Sequence, residues 1–146
     1  MTTTTPSAVA LHAVDLSRTA AGQFRATNTR GGTIGIGTGD DTDFTPVELL
    51  LAALAGCASI DVDMLTSRRA EPTSFDVQVT AEKVRDEDGN RLHDPRLSFR
   101  VEFPDDSAGD TARDRLPEAV QRAHDRLCTV SRTIELPSVV QMSVAG

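Results

Sequence analysis

Two cysteines, Cys57 and Cys128, are the residues of this chain best suited to nucleophilic or redox chemistry. A thiolate attacks electrophilic oxygen or sulfur, and a second thiol brought close resolves the oxidised product as a disulfide. Cys57 is flanked by Gly56 and Ala58 within an apolar run, where a slim backbone lets another element approach closely. Two readings stand for it: an inert core cysteine, since free Cys is among the most buried residue types, or an attacking thiol. Cys128 precedes the polar Thr129, Ser131 and Arg132 and is expected at a helix boundary rather than in a core. If the two meet in the fold, one sulfur attacks and the other resolves.

Burial raises the pKa of a mid-helix thiol, so activation of Cys57 calls for a cation supplied from elsewhere. Arg30, in Asn28-Thr29-Arg30-Gly31-Gly32, is the candidate. Its glycines make a flexible turn able to deliver a guanidinium to a thiolate or a peroxide oxygen. The same arginine also reads as one simply exposed in a turn. His12, His93 and His124 are scattered, with none of the spacing of a metal site, so neither a structural metal nor a cofactor is expected. His124 lies four residues before Cys128 and shares its helical face, as either a Cys/His pair or a surface histidine. Gly35-Ile36-Gly37-Thr38-Gly39 leads into acidic residues with no following Lys-Ser/Thr, so it is no phosphate loop.

Elements that position these groups follow from the pattern. Residues 1–7 are Thr-rich and read as a flexible tail, and residues 8–146 as one domain. AVALHAVDL, QFRATN and the glycine-bracketed TIGIG read as three short strands, with SRTAAG as the first turn. After the acidic loop Asp40 to Asp43, Thr45 caps a helix with Pro46 at its first position and Glu48 in its first turn. That helix carries Cys57 about three turns in, runs on to Ala70 before Pro72, and is apolar on every side from Leu49 to Ala58, the mark of a buried central helix. FDVQVTAEKV and RLSFRVEF alternate around Asp86 to Asn90 as a long hairpin. A second helix spans about Thr111 to Leu127, with Pro117 implying a kink or a later start. CTVSRTIEL is a short connecting segment, and SVVQMSVA closes the chain as a strand.

Composition narrows the class to a small α+β protein. Aromatic residues make up only 3%, with no Trp or Tyr, so a Leu, Val, Ile and Ala core is expected, and a second subunit readily supplements it. A net charge of -7 repels phosphate backbones and anionic lipid, which argues against nucleic acid as partner; Arg68 and Arg69 suit the macrodipole at a helix C-terminus, and the arginines across 113–126, interleaved with acidic residues, read as a solvated helix face. The start of the sequence has no signal-peptide pattern and no run reaches about 18 apolar residues. A cytoplasmic protein, with no membrane partner and with reduced cysteines, is the expectation.

Three stretches together resemble a known family: TPVELLLAALAGC, RLCTVSRTI and TNTRGG. The chain is similar over nearly its whole length to the OsmC/Ohr family of osmotically inducible and organic hydroperoxide resistance proteins. The resemblance implies antiparallel sheets wrapped around a buried central helix in an intertwined homodimer with interfacial active sites. It further implies a thiol peroxidase: Cys57 attacks an organic hydroperoxide, Cys128 resolves, Arg30 holds the thiolate, and a dithiol or lipoyl-protein reductant restores the pair. One departure stands out. Peroxidases of this family place a glutamate directly after the helix-start proline; here that residue is Val47, and Glu48 follows one position later, about 100 degrees round the helix, as a possible auxiliary.

Function is therefore expected to be reduction of organic hydroperoxides in oxidative or osmotic stress defence. The alternative is a non-catalytic dimer that binds a small hydrophobic ligand at the subunit interface, which Val47 in the glutamate position favours.

Overall fold

A computed structural model of the protein describes residues 8–146, and the tail expected over residues 1–7 lies outside the described residues. The described residues divide into two compact units, residues 8–49 and 50–146.

The first unit is built on an antiparallel sheet in which β1 (Val14–Ala20), β2 (Gln23–Asn28) and β3 (Thr33–Ile36) lie in chain order. The β1–β2 turn is tighter than the sequence implied: Ser17 to Ala20 extend the strand, and Gly22 takes the turn at a φ of 69° that other residues avoid. Residues 8–13 add no strand. The β2–β3 loop is held rather than loose. Asn28 Oδ1 accepts the backbone N–H groups of Arg30 and Gly32 at 3.0 and 2.9 Å, so Arg30 sits in a hydrogen-bonded turn with its side chain exposed. The glycines of the following segment leave room for the acidic loop, since a Cβ at Gly35 or Gly37 would meet the carboxylates of Asp43 and Asp41.

Helix α1 (Pro46–Thr66) starts as the sequence predicts, in a reciprocal cap. The Glu48 N–H donates to Thr45 Oγ1 at 3.2 Å, and the Thr45 N–H donates to Glu48 Oε1 at 2.9 Å. The Thr45 backbone N–H, and after it the Thr45 side chain, hold the Glu48 carboxyl below its ordinary pKa. The helix ends at Thr66, earlier than predicted, and Ser67 to Arg69 form a turn. It is not packed all round. Leu54, Ala58, Val62 and Thr66, four residues apart, form its one buried stripe, while Ile60 is 64% and Met64 56% exposed. Thr66 is wholly buried at no polar cost, because its hydroxyl donates to the Val62 carbonyl at 3.0 Å.

In the second unit β4 (Ser74–Asp86) and β5 (Gly89–Glu102) form the long antiparallel hairpin, turning through Glu87 and Asp88. A bulge interrupts it where Ala81 faces both Asp94 and Pro95. Pro95 has no N–H for the ladder and Asp94 takes a φ of 52°, so the proline sits where a bulge tolerates it. Helix α2 (Ser107–Arg122) begins before the predicted Thr111 because Asp106 caps it, accepting the Gly109 N–H at 2.7 Å. It continues through Pro117. A π-helical turn, Ala123–Leu127, replaces its expected last turn, and helix α3 (Thr129–Glu135) forms in what read as a connecting segment.

Val62, Ala119 and Ala123 make the core of this unit, with Leu65, Leu116, Val120, Phe75 and Phe99 around them. The two phenylalanines meet edge to face at 6.3 Å, so the aliphatic core expected from the composition has one aromatic pair at its side. The strand expected over SVVQMSVA does not form: residues 137–146 have no regular structure, with Val139, Met142 and Val144 90% exposed or more. A strand needs an edge to pair with, and this segment pairs with none among the described residues.

Candidate thiol site

Both cysteines belong to the second unit, and the fold brings them together. Cys57 Sγ, Cys128 Sγ and a carboxylate oxygen of Asp61 all lie within 4.8 Å of one another. Both thiols are free. Cys57 and Asp61 are one turn apart on α1, so they share a face. Cys128 arrives from the junction between the π-helical turn and α3. Its N–H closes the π turn on the Ala123 carbonyl at 2.8 Å, and its sulfur accepts the Ser131 N–H at 3.4 Å as the cap of α3.

Exposure is the reverse of the sequence expectation. Cys128, placed at a polar boundary by its neighbours, is 2% exposed, whereas Cys57, in the apolar run, is half-buried. The reason is packing: Cys128 caps α3 from the inside, while α1 is covered along one stripe only. Burial pushes the Cys128 thiol up, the adjacent Cys57 sulfur pushes it the same way, and the Ser131 N–H opposes both.

Beside Cys128 lies a cavity of about 330 Å³, walled by Leu54, Ala58, Leu97, Phe99 and Val120, with His124 and Glu135 at its polar side. Cys57 is not among its lining residues. His124 does not pair with Cys128. Its Nδ1 meets Asp125 at 2.9 Å and its Nε2 meets Glu135 at 2.8 Å, and those two carboxylates raise its pKa, Asp125 the more.

Of the other predicted residues, Arg30 and Glu48 lie in the first unit, Arg30 exposed in its turn and Glu48 engaged at the helix cap. The sequence reading missed Asp61. Its Oδ2 is buried without a hydrogen-bond partner among the described residues. A carboxylate four residues after a helical cysteine is the signal that points to it.

Comparison with known proteins places this chain in a family. The OsmC-like protein family model matches residues 38–143. An uncharacterized protein of Mycobacterium tuberculosis is 29% identical over 130 residues, covering 88% of this chain and 93% of the relative. Among solved structures, an OsmC-like protein of unknown function from Vibrio cholerae superposes with a TM-score of 0.72 at 14% identity, covering 87% of this chain and 95% of the other. The organic hydroperoxide resistance protein OhrB of Bacillus subtilis superposes with a TM-score of 0.54 at 18% identity, covering 85% and 91%.

Proposed function

This chain belongs to the OsmC-like family, and on that premise we propose that it is a cysteine-dependent thiol peroxidase that reduces organic hydroperoxides in stress defence. The observation that carries the reading is the approach of two sulfurs, distant in sequence, to within 4.8 Å. A disulfide closes from there with a shift of about 3 Å, given an S–S bond near 2.05 Å.

Cys57 is the attacking sulfur, because it is the more accessible of the pair. Its thiolate displaces RO⁻ from the distal oxygen of ROOH: the O–O bond breaks, an S–O bond forms, and RO⁻ takes a proton to leave as the alcohol. Cys128, deprotonated, then attacks the sulfur of the sulfenic acid; the S–S bond forms and hydroxide leaves as water. A dithiol or lipoyl-protein reductant returns both thiols and is itself oxidised to a disulfide. The apolar cavity beside Cys128 suits the alkyl group of an organic peroxide. The family resemblance gives Arg30 as the cation for the Cys57 thiolate; within its own unit Arg30 is exposed in a hydrogen-bonded turn. Glu48 is occupied at Thr45, which argues against an auxiliary role for it.

The working form is a homodimer in a reducing, cytoplasmic setting. In support of the dimer, α1 leaves Ile60 and Met64 exposed, and residues 139–144 leave Val139, Val140, Met142 and Val144 exposed, apolar surface that a second copy would cover. The 21-residue α1 is also long and apolar enough to cross a membrane, but Asp61 and Asp63 within it favour a protein partner.

The test is consumption of cumene hydroperoxide by the reduced protein with a lipoyl donor, beside Cys57→Ser and Cys128→Ser. Turnover by the wild type that Cys57→Ser abolishes supports the reading. A wild type no faster than the free dithiol moves the assignment to the second reading, a dimer that holds a small hydrophobic ligand without turnover, which Val47 in the family's glutamate position favours.

A further inference from the structure

We propose that Cys57, Asp61 and Cys128 form a binding site for a thiophilic divalent cation, zinc above all. The three donor atoms already lie within 4.8 Å of one another. Around a tetrahedral zinc, with Zn–S near 2.3 Å and Zn–O near 2.1 Å, the donors stand about 3.6 to 3.8 Å apart, so closure needs shifts of about 1 Å. Two thiolates and one carboxylate are a donor set that selects zinc over magnesium or calcium, and three protein ligands leave a fourth position for water.

The parts differ in how they are held. Cys57 and Asp61 sit one turn apart on a continuous helix, which gives a rigid pair of ligands on one face. Cys128 approaches from the junction before α3 and completes the set. Asp61 is the residue that the peroxidase cycle does not use and that the site explains. Its Oδ2 is buried with no hydrogen-bond partner among the described residues, a costly state for a carboxylate that a bound cation relieves. Binding displaces the protons of both thiols: Zn²⁺, two S–H groups and one carboxylate give the bound metal and two released protons.

The site stands on this geometry alone. Its consequence rests on the proposed peroxidase activity: with both sulfurs bound, Cys57 is no longer free to attack and Cys128 no longer free to resolve, so the metal protects the thiols and silences turnover.

The experiment is titration of the reduced, chelator-stripped protein with Co²⁺ and then Zn²⁺. A near-ultraviolet sulfur-to-cobalt charge-transfer band is expected, saturating at one metal per chain, bleached by zinc and absent from Cys57→Ser and Cys128→Ser. Asp61→Asn is expected to weaken zinc binding by at least about tenfold. Asp61→Cys, which supplies a third sulfur, is expected to tighten it, so the assignment does not hang on one variant's folding. No thiolate–cobalt band in the wild type, or Asp61→Asn and Asp61→Cys both binding zinc as the wild type does, overturns the site. Hydroperoxide turnover is read separately with a chelator present: a metal-free protein that does not turn over, where the cobalt-loaded protein shows the band, contradicts the peroxidase and leaves the metal site standing.

Discussion

The two cysteines are presented by opposite kinds of structure. Cys57 stands in the middle of a regular helix whose buried stripe, Leu54 to Thr66, is anchored by Val62 in the core. Cys128 stands where regularity breaks, between a π-helical turn and a seven-residue helix, and is itself the cap of the latter. Cys57 is half-buried, and Cys128 is sealed with its pKa pushed up. A sulfur that must meet substrate gains from a rigid, accessible mount. One that must cross a gap to reach its partner gains from an irregular segment whose backbone yields at lower cost.

The largest expected effect follows from that division of labour. With Cys128→Ser, one equivalent of peroxide should leave Cys57 as a sulfenic acid trappable by dimedone, and steady-state turnover should fall by at least about tenfold. Equal dimedone labelling of wild type and variant would break the comparison by showing that Cys128 does not resolve.

A smaller effect tests the rigid mount. Val62 is fully buried, so Val62→Ala should cost about 2 kcal/mol in urea unfolding. A cost near zero would mean that the stripe below Cys57 is not its anchor.

The smallest concerns the irregular side. His124, paired with Asp125 and with Glu135 of α3, ties together the segments that flank Cys128. Its folded pKa is raised, chiefly by Asp125, so its contribution is fully present below the unfolded value of about 6.5 and is lost as pH rises through the raised folded value. The melting temperature of the wild type relative to His124→Asn should therefore be highest at acid pH and converge above neutrality. The exposed setting makes the difference small and salt-sensitive. A difference independent of pH would remove the tie.

Legibility in the sequence divides along similar lines. The helix start at Thr45-Pro46-Val47-Glu48 and the alternation of β4 and β5 were readable because capping and period-two patterns are local. The bulge at Asp94-Pro95 and the early start of α2 at Ser107 left signals, an Asp-Pro pair and an Asp before Ser-Ala-Gly, that are weaker than the patterns around them. Burial of Cys128 left none, because it depends on how α3 folds back rather than on the polar residues beside it. The C-terminal segment alternates like a strand, but pairing is a tertiary event that alternation does not supply. At the site, both cysteines were visible as residue types and their meeting was not; Asp61 was overlooked because a carboxylate in an apolar helix reads first as its solvent side.

The most direct test is to treat the reduced protein with one equivalent of an organic hydroperoxide and map the product by non-reducing peptide mass spectrometry. The account predicts loss of both free thiols and a Cys57–Cys128 disulfide within one chain. Two surviving thiols, or a disulfide joining two chains in its place, would contradict it.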